Sequence, residues 1–338
     1  MLRPMKRAAA SIAVLVLLSG CDWLPPPAPP VASFEAGSGG STASASSTGG
    51  SGGGGSTSAS STGSIGGGAL ACSACEPVEE TGKLASAVEL ELSGIVASLA
   101  HDGVYYVHND SGDSARFFAI DITGKALATF NVSGADAVDW EDIARAPCST
   151  GTGTCLFLGD IGDNNGNRTD YTVYSVTEPT TIVNATLPAS KLPFTYPDGF
   201  HNSETLLADP VTGGLFVVTK TLGLASVYAF PLPLTPGKSV VLTKAGDVSL
   251  PIMPALITGG DVHPTGRGVL IRTYSDVWLF PQAPGMSVVS ALVGTACPEP
   301  IPDESQGEAI GWLASGAGYV SVSEGLNSAI HRVKCAVP

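Results

Sequence analysis

Beyond residue 90 the apolar residues fall in short runs bounded by Gly, Pro, Asn and Asp, and helical spacing is nearly absent. Short apolar runs between turn residues predict β-strands. The runs come in pairs. A small or acidic residue opens the first run, a Gly-containing turn follows, and the second run ends on a polar residue. The copies span Leu92 to Asp110, Trp140 to Asp160, Ser203 to Lys220, Gly260 to Thr273 and Gly307 to Glu324.

One unit repeated at this interval predicts the blades of a β-propeller. Each copy extends to four strands. The first holds Ser93–Ser98, Gly103–His108, Arg116–Ile122 and Ala126–Ser133. The second holds a strand near Ile143, then Leu156–Gly159, Thr172–Thr177 and Leu192–Tyr196. The third holds Thr205–Ala208, Leu215–Lys220, Ser226–Phe230 and Val240–Thr243. The fourth holds Asp261–His263, Gly268–Thr273, Asp276–Phe280 and Ser287–Val293. The fifth holds Ala309–Leu313, Gly318–Ser323 and Ala329–Val333, and Leu84–Leu90 is expected to complete it. That exchange closes the ring and removes open edges. Five four-stranded blades are predicted, and extra residues in the second copy leave room for a sixth. A β-sandwich gives no reason to repeat a polar strand end, and a β-helix has shorter repeats.

The two strands of a hairpin are antiparallel, so the start of the first and the end of the second lie at one end of a blade. Strand starts carry Glu141, Asp142, Glu204, Asp261 and Glu308; strand ends carry Asn109, Asp110, Asp160, Lys220, Arg272 and Glu324. In a propeller these face one mouth of the channel. Clustered carboxylates repel unless compensated, and calcium accepts six to eight oxygen ligands in irregular geometry. The candidate metal ligands are Asp110, Asp113, Glu141, Asp160, Asp163, Glu204 and Glu308, with Lys220, Arg272 and Glu324 as candidate ligand-binding residues. The competing reading has these acids capping strands, holding turns and pairing with Lys220 and Arg272. No HxH, HExxH, GxSxG or P-loop string occurs, so zinc, nucleophile-elbow and nucleotide chemistries have no support, and no catalytic residue can be named.

The N-terminus changes the setting. Arg3, Lys6 and Arg7 precede an apolar run from Ser11 to Leu18, and Leu18-Ser-Gly-Cys21 follows. This is the layout of a secretory signal peptide over residues 1–20, too short in its apolar part to span a bilayer. Residues 21–70 then supply Cys21 and a Pro-, Gly-, Ser- and Thr-rich linker that cannot form a core, with a reach of roughly 35–40 Å. The propeller domain is residues 71–338. The chain has 16 Lys and Arg against 30 Asp and Glu, a net charge of −14, which cleavage before Cys21 would take to −17. A basic footprint is missing, so nucleic acid is not an expected partner.

Six cysteines follow Cys21, an even number that suits disulfides in an exported protein. Cys148 and Cys155 flank a Ser/Thr/Gly hairpin tip and are expected to pair. Cys72, Cys75, Cys297 and Cys335 allow three connectivities, and sequence does not choose among them. Trp140, Trp278 and Trp312 are read as packing residues.

The Leu-Ser-Gly-Cys tetrad resembles a bacterial lipobox, which implies acylation of Cys21 and anchoring to a membrane of the cell envelope, on the outer membrane or cell surface. The strings Asn109-Asp-Ser-Gly-Asp113, Asp139-Trp-Glu-Asp142, Gly159-Asp-Ile-Gly-Asp-Asn164 and Gly307-Glu-Ala-Ile310 resemble those of secreted bacterial lipoprotein β-propellers. More distantly the chain is similar to phytase-like and esterase-like β-propellers. The resemblance spans residues 90–335 and implies a calcium-binding mouth with phosphate monoesters as a substrate class, Glu141, Asp160, Glu204 and Glu308 being the matching acids. The expectation is a membrane-tethered binding or scaffold module with an acidic, calcium-binding mouth and an extracytoplasmic ligand. A calcium-dependent phosphoesterase is the alternative, and a purely structural envelope component the third reading.

Overall fold

The computed structural model describes residues 69–336, apart from positions 71, 73, 74, 86, 87, 89, 90 and 305. The expected signal peptide, Cys21 and the expected linker to residue 68 lie outside the described residues. The domain is a five-bladed β-propeller of antiparallel blades. Blade one runs outward through Leu92–Ala97, Val104–Asn109, Arg116–Asp121 and Ala126–Ser133. Blade two is Trp140–Pro147, Thr154–Asp160, Tyr171–Thr177 and Ser190–Thr195. Blade three is Ser203–Ala208, Leu215–Thr219, Ser226–Ala229 and Thr243–Asp247. Blade four is Ile257–Val262, Gly268–Thr273, Val277–Pro281 and Cys297–Glu299. Blade five is Gly307–Trp312, Gly318–Ser323, Ala329–Lys334 and, from the other end of the chain, Glu79–Lys83. Each inner strand touches the inner strand of the next blade, and the fifth touches the first.

Packing explains the ring. An isolated blade would leave two apolar faces in water, and stacking blades buries both. Five apolar clusters result, one per interface. Tyr106, Phe117 and Phe130 of blade one meet Ile143 and Leu156 of blade two. Phe157, Tyr171 and Phe194 meet Leu206, Val217 and Tyr228. Val218 and Val227 meet Val269, Ile271 and Phe280. Leu270 and Leu279 meet Trp312 and Tyr319. Val320 and Ile330 meet Ile95 and Val107, closing the circle.

Three expected outer strands are corrected. Blade five is completed by Glu79–Lys83, which pairs Glu79 with Arg332, in place of the expected Leu84–Leu90, of which positions 86, 87, 89 and 90 lie outside the described residues. Leu84 and Val88 are instead buried in the cluster between blades five and one. The outermost strand faces solvent and needs backbone partners rather than an apolar run. Ser287–Val293 is not a strand, because Ser287 caps a short helix, Val288–Leu292, whose Val288, Ala291 and Leu292 are buried at helical spacing. The outer strand of blade four is Cys297–Glu299. In blade three Thr243–Asp247 is outermost, while Val240–Val241 adds a parallel strand to the edge of blade two. Ala185–Pro188, from the long second copy, edges blade one in the same way. The extra residues of that copy thus lace two blades together and make no sixth.

Cys148 bonds Cys155 across its hairpin tip. Cys72 bonds Cys297 and Cys75 bonds Cys335, tying the start of the domain to blades four and five.

Candidate functional site: an acidic channel mouth

The register of every inner hairpin slips by one residue near its start. The slips fall between Leu92 and Gly94, Trp140 and Asp142, Ser203 and Thr205, Ile257 and Gly259, and Gly307 and Ala309. A β-bulge re-aims the residue it leaves unpaired. Those residues are Ser93, Glu141, Glu204, Thr258 and Glu308, one per blade at the same level. The Ser93 hydroxyl donates sideways to the carbonyl of Glu141, and Thr258 donates to the carbonyl of Gly307 at 2.9 Å. Blades two, three and five present carboxylates there.

A second ring stands one residue past the partner strands: Asp110, Ile161, Lys220, Tyr274 and Glu324. Four of them donate a backbone N–H to the residue that precedes an inner strand, pairing Asp110 with Glu91, Ile161 with Asp139, Lys220 with Asn202 and Glu324 with Gln306. Asp139 thereby comes beside the mouth. Oxygens of Asp110, Asp139 and Glu141 lie within 4.8 Å of one another.

Burial and mutual repulsion govern the electrostatics. Glu141 is buried, and its carboxyl is held well above the usual range by burial and then by Glu204, Asp110, Asp139 and Glu308. Its Oε1 is buried without a hydrogen-bond partner. Asp110 is pushed up to about 7 by burial against Asp139, Glu204 and Glu324. Glu308 is pushed up to about 9 by burial, Glu324 and Glu204. Lys220 donates to both oxygens of Glu204 at 2.6 and 2.5 Å and to the Tyr274 hydroxyl at 2.6 Å. Burial acts to lower the Lys220 ammonium, and Glu204 more than offsets it, so Lys220 stays charged.

Other candidates hold structure. Asp160 pairs with Arg168 at 2.8 Å and accepts the Asp139 N–H at 3.0 Å, fixing the approach of Asp139. Asp163 closes its own loop by accepting from the backbone of Asn167 and Arg168 and from the Tyr171 hydroxyl. Asp113 is held by Arg116 and Asn109. Asp142 accepts the N–H of Leu206 at 2.9 Å, and Asp261 accepts that of Trp312 at 2.8 Å, so each stitches its blade to the next. Arg272 is fully buried and bonds Glu304 at 2.8 Å and Ser321 at 2.6 Å, between blades four and five. Glu304 also accepts from His331. Asp139, Tyr274 and Glu304 escaped the sequence reading. Asp139 was visible in the Asp-Trp-Glu-Asp string but lies ahead of its strand.

A cavity of about 530 Å³ opens at the opposite end, lined by Pro147, Cys148, Val211, Leu232 and Leu234 among others; no charged side chain lines it. In comparisons with known proteins, no family model and no curated protein matches this chain.

Proposed function

We propose that the protein is an exported, lipid-anchored binding module whose acidic mouth holds a divalent cation of the calcium class. The observation that carries this reading is the buried Glu141 carboxylate, whose Oε1 has no partner and which converges with oxygens of Asp110 and Asp139. Ligands about 2.3–2.6 Å from one calcium ion stand at most about 5 Å apart, which matches the spacing of these three. All the donors are oxygens, which suits calcium over zinc. Backbone carbonyls and water would fill the remaining positions.

Binding is favoured over phosphoester hydrolysis because cations the sequence offers for phosphate are already engaged. Lys220 holds Glu204, Arg168 holds Asp160, Arg116 holds Asp113 and Arg272 holds Glu304. The test is thermal unfolding in the presence and absence of Ca²⁺. A ligand at a hundredfold its Kd stabilises the fold by about 2.7 kcal/mol, which raises Tm by about 5–10 °C in a domain of this size. Glu141→Gln is expected to abolish the rise while leaving the metal-free protein folded. A wild-type Tm unmoved by millimolar Ca²⁺ would refute the reading.

A further inference from the structure

The mouth contains two groups of carboxylates that differ in one respect. Among the described residues, no ammonium or guanidinium donates to Asp110, Asp139 or Glu141. In the next blade, Glu204 is paired with a cation that belongs to the chain itself. The Lys220 Nζ reaches both oxygens of Glu204 and is fixed by Tyr274, over whose ring it lies 4.7 Å from the centroid. The Glu204 carboxylate is nearly closed to solvent and the Lys220 side chain is mostly so.

We propose that Lys220 is a tethered cation that fills the second of two cation positions in the mouth and restricts the protein to one metal ion. This rests on the reading of the mouth as a divalent-cation site. Three observations support it. The Lys220 ammonium on both Glu204 oxygens already neutralises that carboxylate and repels a second cation beside it. A tethered group competes at an effective concentration in the millimolar range, comparable with the metal itself. And Glu141 and Glu204 hold the same bulge position in neighbouring blades whose inner strands touch, so one opening spans both groups. The unpartnered Glu141 Oε1 marks the open position, and Lys220 marks the filled one. The second position would take the same class of ligand, a hard divalent cation bound by carboxylate oxygens.

The experiment is calorimetric titration of the purified protein with CaCl₂. Wild type is expected to bind one ion, and Lys220→Met two. Lys220→Gln keeps a donor for Glu204 without the charge; it is measured in parallel in case the Met variant does not fold, and is also expected to bind two. Lys220→Arg retains the charge and is expected to bind one. Lys220→Met combined with Glu204→Gln removes the freed carboxylate and is expected to return to one. A single ion in wild type and in both neutral variants overturns this inference alone. Two ions in wild type, or two in the combined variant, also overturn it. No ion in wild type overturns the cation reading beneath it.

Discussion

Gly162 lies directly against Glu141: a Cβ at position 162 would stand 2.1 Å from Glu141 Oε1 and 2.5 Å from Asp139 Oδ2. Gly162 has no positive φ, so its backbone would accept alanine. Its glycine identity therefore reflects the space the two carboxylates need. Gly162→Ala is expected to push the oxygens apart and weaken Ca²⁺ binding at least tenfold by calorimetry, with a Tm loss of a few degrees in metal-free protein. An unchanged affinity would mean these oxygens do not share a ligand.

The raised carboxyls make stability depend on pH in a definite direction. Asp110 sits at about 7 and Glu308 at about 9 in the folded protein, against about 4 in an unfolded chain. Between those values the folded state binds more protons, so metal-free stability falls as pH rises from about 5 to about 9. Asp113, Asp163 and Glu304 act the other way, since burial raises each but their hydrogen bonds and charged neighbours pull them lower. They lose their contribution below about pH 4. Metal-free Tm is therefore expected to peak near about pH 5 and decline toward about pH 9, and saturating Ca²⁺ should remove the decline. A Tm that climbs steadily across that window would contradict the crowding of the mouth.

Acids that stitch blades should behave differently from acids that face the opening. Asp261→Ala leaves the buried N–H of Trp312 without its acceptor, a cost of about 1–3 kcal/mol. Denaturant unfolding is expected to show that loss, while the Ca²⁺ affinity of the folded variant stays within about twofold of wild type. Loss of affinity without loss of stability would assign Asp261 to the site.

Anchoring is tested at Cys21. Cys21→Ser is expected to move the protein from the membrane fraction to the soluble exported fraction, because acylation at that residue is the proposed attachment. Retention at the wild-type level would remove the lipoprotein reading.

The blade count was legible because each inner hairpin carries an apolar signature that survives without tertiary context. Outer strands were not. Glu79–Lys83 is polar, and its place depends on pairing with Ala329–Lys334, far along the chain. The Cys148–Cys155 bridge was readable from its hairpin, whereas Cys72 and Cys75 needed the closed ring to select Cys297 and Cys335.

At the mouth the limit was the bulge. A single unpaired residue decides which side chain is re-aimed, and apolar pattern does not reveal it. Asp261 looks like the counterpart of Glu204, but pairing of Ile257 with Thr273 puts Thr258 in that place and Asp261 three residues deeper. Arg272 likewise pairs with Gly259 below the rim, and Tyr274 stands where blade three has Lys220. Glu141, Glu204 and Glu308 share the bulge position in their own blades.

The claim that the mouth holds a divalent cation is tested most directly by anomalous diffraction from crystals grown with Ca²⁺. An anomalous peak is expected among Asp110, Asp139 and Glu141, with the Lys220–Glu204 contact intact beside it. A mouth with no peak at saturating Ca²⁺, or Ca²⁺ bound only elsewhere on the protein, would contradict it.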